Sequence, residues 1–110
     1  MFKLSPNPTF YAQVPLSVPG LPEPLNVAIT FRHKTKPALQ AWMRDGKGKD
    51  DAALLHELIV GWEGMQDADG ADVPYSLTAL NDLLANYWCA SDEITTAYLY
   101  ELKESKRKNY

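Results

Sequence analysis

Two segments with a period of two set the terms for this fold. In Thr9–Val18, Phe10, Ala12, Val14, Leu16 and Val18 alternate with Tyr11, Gln13, Pro15 and Ser17. In Leu25–His33, Leu25, Val27, Ile29, Phe31 and His33 oppose Asn26, Ala28, Thr30 and Arg32. Alternation among β-branched and aromatic residues predicts two strands, each with one face toward a core. The connection Pro19-Gly20-Leu21-Pro22-Glu23-Pro24 is too rich in proline for a two-residue turn and predicts a longer hairpin loop. Pro15 has no N–H to donate, which places its strand at a sheet edge. A lone ribbon is marginal in water, so its apolar face must rest on something else. Phe2 and Leu4 offer a short third strand, limited by Pro6 and Pro8.

After Lys34 the period lengthens. Pro37 suits the first turn of a helix, and Leu39, Trp42 and Met43 then share a face. Asp45-Gly46-Lys47-Gly48-Lys49-Asp50 interrupts, predicting an exposed and mobile loop. Asp50 or Asp51 caps a second helix with Leu55, Leu58, Ile59 and Trp62 as its core stripe and Val60 well off it. Ser76 caps a third, whose apolar face comprises Leu77, Leu80, Leu83, Leu84, Tyr87 and Trp88. Ser91-Asp92-Glu93 opens a fourth, with Ile94, Ala97, Tyr98 and Leu102 inward. At 100° per residue Tyr100 points away from that stripe, toward water. The expected architecture is α+β: an N-terminal hairpin and about four short helices in one domain over residues 1–110. Residues 1–34 form the hairpin portion, 35–105 the helical portion and 106–110 a frayed basic tail.

Composition narrows the function. The chain has no signal-peptide pattern at Met1–Pro6 and no apolar run near the ~20 residues that span a bilayer. Residues 1–44 carry five basic and one acidic side chain, whereas 45–82 carry two basic and nine acidic. An acidic middle argues against a nucleic-acid partner, since phosphate binding needs concentrated positive charge. The asymmetry suits head-to-tail contacts between copies, or simply a solvated acidic face. The single Cys89 is expected as a buried, reduced thiol.

No reactive constellation emerges, so no catalytic, cofactor-binding or metal residue is assigned. Asp67, Asp69 and Asp72 surround Gly70, but glycine falls at loop position 4 rather than 6, and the calcium-loop pattern fails. His33 and His56 have no second histidine or cysteine at ligand spacing. Gly46 and Gly48 follow a helix and lack phosphate-loop spacing. Chemistry alone therefore names no function, and Tyr100, an aromatic aimed at water, is the contact candidate that the pattern itself offers.

Leu58–Tyr98 carries a further pattern: Val60-Gly61-Trp62-Glu63-Gly64, Asp69-Gly70, Val73-Pro74-Tyr75-Ser76, Leu80, Leu83-Leu84, Tyr87, Ile94 and Ala97-Tyr98. This stretch resembles the tail assembly chaperones of long-tailed bacteriophages, and the Arg107-Lys108-Asn109 ending is similar. Trp62, Gly64, Gly70, Pro74, Tyr75 and Ser76 would be that family's structural signature. After Tyr87 the family often has proline-glycine, where this chain reads Trp88-Cys89-Ala90-Ser91. The resemblance implies a non-enzymatic factor in the host cytoplasm, absent from the mature virion. It would coat the tape measure protein, keep it soluble and recruit tail tube subunits, and it would self-associate into a ring, spiral or filament; for that role Tyr11, Val60, Trp88 and Tyr100 are the candidate contact residues. Many such chaperones come in two lengths through a ribosomal frameshift, and this chain resembles the shorter. The rival readings are a small connector retained in the particle and an acidic-loop metal-binding regulator.

Overall fold

Strands β1 (Thr9–Leu16) and β2 (Leu25–Arg32) pair antiparallel, with Thr9 opposite Arg32 and Leu16 opposite Leu25. Their alternation is the one written in the sequence: Ala12, Val14, Leu16, Val27, Ile29 and Phe31 are buried, and the residues between them face out. The structure, a computed structural model, describes residues 1–103. The tail at 106–110 and the Arg107-Lys108-Asn109 ending lie outside the described residues.

The architecture is α+β, a three-stranded antiparallel sheet and four helices among the described residues. The third strand is not at Phe2–Leu4, which carries no strand and is fully exposed. It is β3 (Ile59–Glu63), paired antiparallel with β2, so that β2 is central and β1 is an edge, as Pro15 requires.

This replaces the second half of the expected second helix. Helix α1 (Lys36–Asp45) is capped by Thr35 and α2 (Asp51–His56) by Asp50, whose side chains accept from Ala38 and Ala53 N–H groups. Helix α2 then stops, and the chain runs into β3. Leu55, Leu58, Ile59 and Trp62 are all buried as expected, but Leu55 lies on α2, Leu58 in the turn after it, and Ile59 and Trp62 on β3. The reason is a β-bulge. Ile59 opposes Phe31, Trp62 opposes Ile29, and Gly61 opposes Thr30, which leaves Val60 as the extra residue. A bulge puts inward residues three apart, the spacing of a helical stripe. Two β-branched residues followed by glycine also disfavour helix, and the outer edge of β2 supplies hydrogen bonds to a strand. Arg32 holds the joint, its guanidinium donating to Ile59 O at 2.9 Å and its N–H to Leu58 O at 2.7 Å.

Helices α3 (Leu77–Asn86) and α4 (Ala90–Lys103) complete the layer over the inner face, with α4 lying against β1. Ile94 and Tyr98 are completely buried. Tyr98 stacks against Phe10 and meets Phe31 edge-on, and its hydroxyl donates to Arg32 O at 2.8 Å. Burial pushes its phenol up to about 12. Helix α3 ends earlier than expected because Tyr87 is extended (φ −124°, ψ 108°), and Trp88-Cys89 form a turn. Trp88 therefore falls outside the apolar face; Leu77, the first residue of α3, and Met43 in α1 are exposed as well. Cys89 is exposed rather than buried, and Ser91 sits inside α4 rather than capping it.

Candidate interaction surface

Ile59-Val60-Gly61-Trp62-Glu63 leads into a folded loop that ties the sheet to α3. Gly64 (φ +88°) and Gly70 (φ +82°) occupy the left-handed region, which a side chain resists. Between them Asp67 Oδ1 accepts from the N–H groups of Asp69 and Ala71, at 2.9 and 3.0 Å. Gln66 bridges Asp72, and Val73 N–H returns to Met65 O at 2.9 Å. The acidic stretch is thus a small closed turn whose lead carboxylate serves its own backbone. Among the described residues no group of three His, Cys, Asp or Glu is placed to hold a metal ion.

The loop is stapled to the core by its aromatic residues. Trp62 Nε1–H donates to Val73 O at 2.8 Å, and Tyr75 packs edge-on against the indole with ring centroids 4.9 Å apart. Tyr75 Oη and His56 Nδ1 share a hydrogen bond of 2.7 Å over stacked rings. Burial raises the Tyr75 phenol above the ordinary tyrosine value, while the positive charge of Arg32 draws it part of the way back. Pro74 leads to Ser76, whose Oγ accepts from Ala79 N–H at 3.0 Å. Trp62, Gly64, Gly70, Pro74, Tyr75 and Ser76 therefore come together as one structural unit that positions α3 beside the sheet.

The candidate contact residues separate into three places. Tyr11 and Val60 share the sheet face that no helix covers. Tyr11 pairs across β1–β2 with Thr30, and Thr30 pairs with Gly61, the neighbour of the bulged Val60. Tyr11 is 70% exposed and Val60 44%. Trp88 projects from the α3–α4 turn at 97% exposure, far from the packing role its place in the helical pattern suggested. Tyr100 does not point into open water. It is half-buried and helps wall a cleft of about 440 Å³ between α4 and β1, with Ala12, Gln13, Pro15, Thr96 and Ala97. Asp92, Glu93 and Glu101 also line it.

Sequence reasoning missed this cleft, whose walls are over 70 residues apart in the chain. Beside it runs the free edge of β1. His33 N–H donates to Pro8 O at 2.8 Å, which sets the alternation of the ladder. Thr9, Tyr11 and Gln13 consequently turn their N–H and C=O groups outward. Beyond Pro15 the edge is closed, because Ser17 N–H and hydroxyl both donate to the Glu93 carboxylate, the N–H at 3.0 Å.

This surface has aromatic and aliphatic side chains, a free strand edge and exposed carboxylates. Such groups are suited to binding polypeptide. No helix among the described residues is long and apolar enough to cross a membrane. The family model described as phage tail assembly chaperone matches residues 1–109. No curated protein and no solved structure gives a match.

Proposed function

Because the chain belongs to the phage tail assembly chaperone family, we propose that it binds the tape measure protein, keeps that long helical chain soluble and recruits tail tube subunits. It acts by protein–protein contact and without catalysis, in the host cytoplasm, and leaves before the virion is complete. The observation that carries this reading is the bare sheet face with Tyr11 and Val60, together with Trp88 at 97% exposure.

Burying apolar area is worth about 25 cal/mol per Å², so a patch of a few residues binds weakly. An elongated partner presents many such sites. Several linked copies then convert weak contacts into durable coverage through effective concentration. Self-association into a ring, spiral or filament belongs to the same reading.

Co-expression with the tape measure protein of the same tail gene cluster tests it. The tape measure protein should be soluble with this chain and aggregate without it, and Trp88→Ala with Tyr11→Ser should return it to the pellet. Equal solubility with and without the chain overturns the function. Mass spectrometry of purified virions separates the connector alternative: a chaperone is missing from particles, a connector present.

A further inference from the structure

Phe2 and Leu4 are exposed at 97% and 100% of their reference areas, so neither side chain touches the body of the molecule. Single exposed apolar residues are ordinary. Here two of them stand at i and i+2 on an arm that leaves the sheet just before β1. Pro6 and Pro8 cannot donate hydrogen bonds, and the arm carries no strand or helix before Thr9.

We propose that the Met1–Leu4 arm of one copy adds as a strand to the free edge of β1 in a second copy, with Phe2 and Leu4 entering the cleft between β1 and α4. The proposal rests on the self-associating chaperone reading and names the surface through which copies join. The edge supplies the outward N–H and C=O groups of Thr9, Tyr11 and Gln13, which an added strand needs. Pro15 and the Ser17–Glu93 contact close the edge beyond, so the open length suits a strand of about four residues. On such a strand residues two apart share a side, which turns Phe2 and Leu4 together toward α4. There the cleft offers Ala12, Pro15, Ala97 and the ring of Tyr100, in about 440 Å³, a volume typical of clefts that take small ligands.

The same arm does not reach its own β1 edge readily. A fold-back needs a tight reversal across Ser5–Pro8, where two prolines lack N–H groups and Pro8 O is held by His33. The occupant is therefore another copy.

The test is sedimentation of the full chain across a concentration series, with three variants checked for native melting. Phe2→Ser with Leu4→Ser removes the arm's apolar side chains from positions that contact nothing. Gln13→Pro blocks the edge, and Thr96→Arg fills the cleft from an exposed position should the proline disturb folding. Each variant alone should dissociate with a constant raised at least about tenfold. Mixing the arm variant with an edge or cleft variant should restore one contact and yield heterodimers that grow no further. Wild-type assembly unaffected by all three variants, a mixture that stays monomeric, or a wild type monomeric at every concentration each overturns the proposal. Solubilisation of the tape measure protein, measured in parallel, reports on the chaperone reading independently of those outcomes.

Discussion

The two faces of one sheet differ more than any two elements of this molecule. On one face Val14, Ile29, Phe31, Ile59 and Trp62 are at most 8% exposed under the helices. On the other Tyr11 and Val60 stand open, with Thr30 between them. The backbone is the same and the residues interleave, so the contrast comes entirely from side-chain alternation and from the bulge that turns Val60 outward. The lesson is a contrast within five to eight residues of strand: a packed face that stabilises on one side, and on the other an open face, the one proposed above for recognition.

That division can be broken most severely at Trp62. Trp62→Ala should cost about 3–5 kcal/mol, because it opens a cavity and leaves Val73 O without its donor. Denaturant unfolding measures it, and a loss below about 1 kcal/mol would mean the hinge does not anchor the covered face. Tyr98 sharpens the same side through pH. Its phenol ionises at about 12 in the folded chain against 10 when exposed, so the folded state retains a proton that the unfolded chain releases. Its contribution is complete below pH 10 and is lost as pH rises from 10 to 12, by about 2 kcal/mol. Tyr98→Phe should remove that slope from the stability–pH curve, and at neutral pH it should cost about 1–2 kcal/mol through the lost bond to Arg32 O. Ser76→Ala removes the cap of α3 and should lower stability by about 1 kcal/mol. Smallest of all, Tyr11→Ser or Val60→Thr should change stability by no more than about 0.5 kcal/mol while weakening partner binding. A large destabilisation at Tyr11 or Val60 would erase the difference between the faces.

The hairpin was legible because its two strands alternate without interruption, and Pro15 announced the edge. Thr35–Pro37, Asp50 and Ser76 carry helix starts in residues that act locally, through their own neighbouring N–H groups. Strand β3 was not legible. The bulge at Val60 spaces Ile59 and Trp62 as a helix would, and the partner that stabilises the strand, β2, lies about 30 residues earlier in the chain. Trp88 was misplaced for a related reason: the helical phase was carried through Tyr87, where the backbone leaves the helix. Phe2 and Leu4 look strand-like in composition, yet β1 leaves them unpaired within one chain.

The Trp62–Ser76 hinge joins both kinds of information. Trp62, Gly64, Gly70, Pro74, Tyr75 and Ser76 could be picked out as a pattern, but their purpose is visible only when the indole reaches Val73 O and Tyr75 meets His56. From its residues alone the chain determined that Ala12, Val14, Leu16, Val27, Ile29 and Phe31 are buried, where three helices begin and that an edge strand exists, because alternation and capping depend on composition over a few neighbouring positions. Tertiary structure decided that Ile59–Glu63 is a strand, that one sheet face stays bare and that a cleft opens beside β1. Those outcomes depend on hydrogen bonds and packing between segments distant in sequence, whose partners no local periodicity encodes.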